Sequence, residues 1–317
     1  MSAISANVKM LSLTVLLTAL ALYPTQGILA SAIVQPPGTS EVKYWFSFGD
    51  SYTTTGFVNT STLPTESDPL GNPAYPGITV GDGGPNWVDV NTVVYNESLL
   101  LTYNYAYNGA VIDGSLVTPY LPTVATLVDQ VEEFLSGAGQ KPASSPWTSE
   151  NAFFSIWIGI NDIAHTYTNS GSRSAFSDVL LDAEFALVEK LCVNSNAGAR
   201  NFLWNNVPPV YRTPEMIATN ATAQAENKAV ILGFNKKLSA KIAEFKATHP
   251  DIRTHFWDAY TVFTTILDNP TKYGFTTDGT AFGAVGDIWG NNYHPSTALY
   301  NIIGKDIASS LKSTVWW

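Results

Sequence analysis

The chain has 317 residues, 45% of them hydrophobic, enough to bury a substantial core within one domain. Its 16 Lys and Arg stand against 26 Asp and Glu, a formal charge of −10 that argues against nucleic acid or an anionic membrane as partner and suits a neutral substrate. The single cysteine, Cys192, excludes an intramolecular disulfide, and with it a disulfide-stapled carbohydrate-binding module; within its apolar helical pattern it reads as a buried, inert thiol.

Residues 1–30 carry one charge, Lys9, then an apolar run over 10–22 and small residues through Ala30-Ser31-Ala32. That is the layout of a signal peptide cleaved between Gly27 and Ala32, and the run is short for a membrane span. A secreted, soluble, monomeric protein without stable membrane association is expected, with residues 31–317 as one catalytic domain. Sequons at Asn59, Asn96 and Asn220 agree with export through a glycosylating route.

The aromatic run 43–48 predicts a first strand that ends at Gly49, with Asp50 and Ser51 on the turn that leaves it. Residues 59–87, dense in Pro, Gly, Thr and Asn, predict a long irregular loop of functional character. A second strand is expected at 103–106, and apolar residues at helical spacing predict a helix over 124–135 stopped by Gly137. Residues 137–149 read as a surface connection, and the continuous apolar run 152–158 as a strand buried on both faces. A helix at 174–193, a strand at 201–204, a helix at 222–248, a strand at 253–257 and a last helix at 296–313 complete the pattern. Such alternation predicts an α/β fold, a three-layer α/β/α sandwich around a mostly parallel, five-stranded, flavodoxin-like sheet. Sites in such sheets form at the carboxyl ends of the strands, where Ser51, the turn at Tyr107-Asn108-Gly109 and the turn at Gly159-Ile160-Asn161-Asp162 converge.

A nucleophilic serine needs a base, a group that orients the base, and donors for the oxyanion. Four histidines are available. His249 ends a helix and His255 lies in a strand pattern, whereas His165 sits near the Asn161 turn and suits capping or solvation as well as a pocket. His294, in Asn292-Tyr293-His294-Pro295 before the last helix, lies on a loop able to return over the sheet edge.

Phe48-Gly49-Asp50-Ser51-Tyr52, Gly109, Gly159-Ile160-Asn161-Asp162 and His294-Pro295 resemble, in order and spacing, the blocks of GDSL (SGNH) hydrolases. The resemblance implies Ser51 as nucleophile, His294 as base, and an oxyanion hole from the Ser51 and Gly109 N–H groups with the Asn161 side chain. No metal or organic cofactor is implied, and no His or Cys cluster has metal-ligand spacing. Asp162 reads as a cap or loop brace.

The family's Asp-x-x-His is replaced here by Asn291-Asn292-Tyr293-His294. An Asn accepts the Nδ1–H bond but supplies no charge, and in a serine protease the corresponding change costs on the order of 10⁴ in rate. Three arrangements stay open: Asn291 orients His294 as a neutral partner, Asp287 or a backbone carbonyl takes the role, or catalysis is impaired.

Gly71-Asn72-Pro73, Tyr75-Pro76-Gly77, Gly84-Pro85-Asn86-Trp87 and Val207-Pro208-Pro209 with Arg212-Thr213-Pro214 are similar to carbohydrate esterase family sixteen. That likeness implies an extracellular acetylesterase acting on sugars or oligosaccharides. Tyr75 and Trp87 are then candidates to stack on a sugar, and Asp50 and Tyr293, beside nucleophile and base, are further candidate substrate contacts. The alternatives are a lipase or general carboxylesterase of the same fold, or a catalytically weakened sugar-binding homologue.

Overall fold

Strand β1 (Lys43–Gly49) lies inside the sheet, and all but its first residue are buried. Its even positions, Phe46 and Phe48, pack on Phe134, while Trp45 on the opposite face packs on Trp87 and Trp317. Burial on both faces is why the strand reads as a near-continuous apolar run. The computed structural model describes residues 41–193 and 198–317, so the expected signal segment lies outside the described residues.

β1 pairs in parallel with β2 (Leu100–Asn104) on one side and β3 (Ala152–Trp157) on the other. β4 (Asn201–Asn205) and β5 (Arg253–Trp257) follow, also parallel, in the order β2-β1-β3-β4-β5. The chain therefore winds one way from β1 to β2 and the other way from β3 onward. The carboxyl ends of β1 and β3 flank this reversal, which is where a doubly wound sheet opens a crevice.

One face of the sheet is covered by α2 (Leu127–Ser136), α4 (Arg173–Val193) and α6 (Ala221–Thr248). The other carries α1 (Trp87–Val93), α7 (Ala259–Asp268) and α8 (Thr297–Leu311), giving the expected three layers. Two short helices, α3 (Ile160–Thr166) and α5 (Pro214–Ile217), sit at the carboxyl edge of the sheet. No helix among the described residues is long and apolar enough to cross a membrane.

Sequence and structure differ most at three places. The second strand begins three residues earlier than expected and ends at Asn104, because Leu100 and Leu101 pair with Lys43 and Tyr44 while residues beyond 104 have already left the ladder. The irregular segment ends in a helix, α1, which starts at Trp87 through a capping box in which Asn86 and Asp89 satisfy each other's backbone N–H groups. Helix α7 carries Ala259, Phe263, Ile266 and Leu267 on its buried stripe and is capped by Asp258, features that the spacing does contain.

Candidate active site

Ser51 follows the last residues of β1 on a single tight turn. The Asp50 carbonyl accepts from the N–H groups of Thr53 and Thr54 at 3.0 and 2.9 Å, and the Asp50 carboxylate accepts from Tyr52 N–H at 3.0 Å. The turn is braced from three directions. Buried Gln130 on α2 grips Gly49 at both main-chain atoms, accepting from its N–H and donating to its carbonyl at 2.9 Å each. Asn86 donates to the carbonyls of Thr53 and Thr54, and Asn104 donates to that of Thr53 at 2.7 Å. Gly49 admits no larger residue, since a Cβ there would press on the Trp157 carbonyl.

The base arrives from 243 residues downstream, with Nε2 of His294 lying 2.8 Å from the Ser51 hydroxyl. Asn291 occupies the position under the imidazole, its Oδ1 3.0 Å from Nδ1. The same oxygen accepts from the Tyr293 and His294 N–H groups at 2.9 and 2.8 Å, closing an Asx-type turn. An oxygen so placed must be an acceptor for Nδ1 as well. The imidazole proton therefore lies on Nδ1, and Nε2 is left free to take the serine proton.

This settles the geometry of the third position: Asn291 lies against the imidazole. The expectation for Asp287 is corrected, for its carboxylate accepts from Ala284 N–H at 3.0 Å and its carbonyl from the Ser296 hydroxyl, closing a neighbouring turn. The three-residue spacing is what delivers Asn291, because a turn that returns Gly290 N–H to the His294 carbonyl folds residue 291 beneath residue 294. With a neutral partner in place, burial alone acts on the imidazole and lowers its pKa to about 4.

Gly109 and Asn161 are the candidate oxyanion donors. Gly109 has φ +80°, a left-handed conformation that favours glycine, and a Cβ there would run into the Tyr120 ring. Asn161 is the second residue of α3 and donates one amide hydrogen to the Ala110 carbonyl at 2.9 Å, which leaves the second for a ligand. Among the described residues neither the Ser51 nor the Gly109 N–H finds a protein acceptor. Asp162, as read, braces the loop, its carboxylate accepting from Ile112 N–H at 3.0 Å. Burial pushes the Asp50 and Asp162 carboxyls up, to about 8 and about 7, so Asp50 next to the nucleophile is mainly uncharged at neutral pH.

The remaining candidates separate. Trp87 is fully buried against Trp45 and Trp157, which removes it as a sugar-stacking residue; as the first residue of α1 its ring faces the sheet. Asp50 is likewise wholly buried and serves the turn, so it makes no substrate contact in this geometry. Tyr293 packs edge-on against His294 and Tyr52, while Tyr75 is exposed on the irregular segment. His165 bonds to the Thr118 carbonyl, His249 pairs with Glu189, and His255 lies beside Phe153 on β5. Sequence reasoning missed Gln130 and Tyr52. The Tyr52 hydroxyl donates to the Tyr293 carbonyl at 2.6 Å and so ties the base loop to the nucleophile turn.

Fold and site together define a serine hydrolase on a doubly wound α/β/α scaffold. The profile of the GDSL-like lipase/acylhydrolase family matches residues 46–307, and the chain belongs to that family. It is 36% identical over 300 residues to an acetylesterase of Thermothelomyces thermophilus, covering 94% of this chain and 97% of that one. A GDSL esterase/lipase of Arabidopsis thaliana is 25% identical over 307 residues, 86% of this chain and 80% of the other. A solved GDSL-like lipase structure from Parabacteroides merdae has a TM-score of 0.50 at 14% identity, covering 86% and 98% of the two chains, and shows the shared fold. The chain is a carboxylic ester hydrolase.

Proposed function

We propose that the protein is a secreted acetylesterase that removes short acyl groups, chiefly acetyl, from carbohydrates through an acyl-enzyme on Ser51. The observation that carries the chemistry is the hydrogen-bonded relay from Ser51 through His294 to Asn291. The acetyl preference draws support from the acetylesterase relative and from the blocks at 71–77 and 84–87 that resemble sugar acetylesterases. Export, with glycans on Asn59, Asn96 and Asn220, belongs to the same reading and rests on the amino-terminal pattern.

In the reaction Ser51 Oγ attacks the ester carbonyl while His294 Nε2 takes its proton. The carbonyl oxygen gains charge facing Ser51 N–H, Gly109 N–H and the second Asn161 amide hydrogen. The imidazolium then gives the proton to the departing sugar oxygen, leaving acetyl on Ser51. Water, deprotonated by the same Nε2, attacks the acyl-enzyme and releases acetate. Asn291 holds the ring and its tautomer throughout but offers the imidazolium a dipole in place of a charge.

Ser51→Ala is expected to abolish hydrolysis of a chromogenic acetate ester; full activity in that variant overturns the nucleophile. A chain-length series should fall sharply beyond about four acyl carbons if the pocket serves acetyl. A flat or rising series instead marks a lipase or general esterase. Stoichiometric labelling of Ser51 by an organophosphonate counts against a purely sugar-binding role.

A further inference from the structure

A second feature of this part of the molecule is an open recess of about 400 Å³ between the end of α3, the first turns of α4 and the first half of α6. Volumes of this size accommodate small organic ligands. Helices that follow parallel strands begin at the carboxyl edge of the sheet, so a recess lined by Ser174 of α4 and Glu226 of α6 opens on the same edge as Ser51.

Its direction from the site is informative. The leaving oxygen takes its proton from His294, so the acceptor part of the ester extends on the His294 side. Tyr293 packs on that imidazole, and its neighbour Asn292 donates at 2.9 Å to the carboxylate of Glu215 on α5, which packs against α6, another wall of the recess. Burial first, and then nearby groups that include the Tyr167 phenol, disfavour ionisation of Tyr293. Tyr167 is also a wall of the recess, and lies about 9 Å along the helical rise from Asn161. The recess thus begins where an acceptor longer than one ring would arrive.

The lining suits a neutral, hydroxyl-rich ring. Tyr167 offers an aromatic face, while Thr168, Asn169, Ser174 and Glu226 offer donors and acceptors. Among the described residues none of those four side chains is committed to a protein hydrogen bond, whereas the wall itself is fixed. Arg173 clamps it by donating to the carbonyls of Thr166 and Ser170 at 3.1 and 2.7 Å. A fixed wall limits the ordering cost of binding to the side chains themselves.

We propose that this recess is a distal glycosyl subsite that binds an unacetylated sugar unit of an oligosaccharide whose acetylated unit sits at Ser51. The inference rests on the carbohydrate reading above. Its test compares an acetylated monosaccharide, an acetylated trisaccharide of the same sugar and a chromogenic acetate, using Ser174→Trp to fill the recess and Glu226→Ala to remove an acceptor. The wild type should favour the trisaccharide over the monosaccharide. Each variant should lose roughly tenfold in kcat/KM on the trisaccharide, mainly through KM, and nothing on the other two substrates. A trisaccharide preference that survives both variants, or a wild type that treats the two sugars alike, overturns the subsite and leaves the esterase reading standing. A wild type active on the chromogenic acetate and inert on both sugars overturns the carbohydrate reading itself, and the subsite with it.

Discussion

The two halves of the relay are held by different means. The nucleophile turn hangs from β1, a strand paired on both sides, and is gripped by three buried amide side chains, those of Gln130 on α2, Asn86 at the cap of α1 and Asn104 on β2. The base sits on a long connection between α7 and α8 and is oriented by a local turn around one Asn291 oxygen. Ser51 is placed by tertiary structure, and the His294 ring is oriented chiefly by Asn291, three positions before it, with the Tyr52 hydroxyl as a tie to the rest of the fold. The first arrangement is rigid whatever its protonation state, while the second depends on the electrostatics of a single neighbour.

His294→Ala is the sharpest break of the base side. It should lower kcat on a chromogenic acetate by about 10⁴ or more and abolish phosphonate labelling, with an unchanged fold by circular dichroism. Asn161→Ala, which tests the donors opposite, should cost about 10²–10³ in kcat with KM little changed. The base side is then sharpened by Asn291→Asp. A carboxylate beside Nδ1 favours the imidazolium, so the acid limb of kcat/KM, expected near the wild-type value of about 4, should move up by roughly 1–3 pH units. Activity at neutral pH should rise about tenfold as the imidazolium gains a counter-charge. An unchanged acid limb in a pH–rate profile contradicts the neutral-partner geometry.

On the nucleophile side, Gln130→Leu leaves the Gly49 contacts unmet. About 1–3 kcal/mol of stability should be lost in urea unfolding, with a smaller loss in kcat than for His294→Ala or Asn161→Ala. The last expected effect concerns pH and falls on stability, with no loss of catalytic rate implied. Asp50, Asp89 and Glu184 have carboxyls raised by burial to about 8, and Asp162 to about 7. The unfolded chain ionises these groups above pH 4 while the native one keeps them protonated, so their contribution is full below that and is lost as pH rises towards 8. His294 opposes this, but only between pH 6.5 and its folded value of about 4. The thermal midpoint should accordingly be higher at pH 5.5 than at pH 8, by about 2–4 °C for each kcal/mol of stability lost over that range.

Much of this was legible in the sequence. The sheet followed from apolar runs and helical periods, and Ser51, Gly109, Asn161 and His294 from blocks whose positions after strands imply convergence. What escaped has a physical pattern. Trp87 sits in a polar, Pro- and Gly-rich segment, and only the Asn86 and Asp89 cap shows that a helix starts there and turns its ring inward. Gln130 lies on the polar-looking position of an amphipathic helix, and its role depends on a strand 81 residues away. Asp287 attracted attention by its charge, yet the orienting group was chosen by turn geometry, which favours the residue three positions before the histidine.

The base also bears on how the protein behaves as it works. Every turnover liberates a carboxylic acid, so a poorly buffered medium sours as hydrolysis proceeds. An imidazole paired with a carboxylate collects a proton early in that decline and stalls the serine. One buried against an amide stays unprotonated until about pH 4, which lets hydrolysis continue in the acidity that it creates.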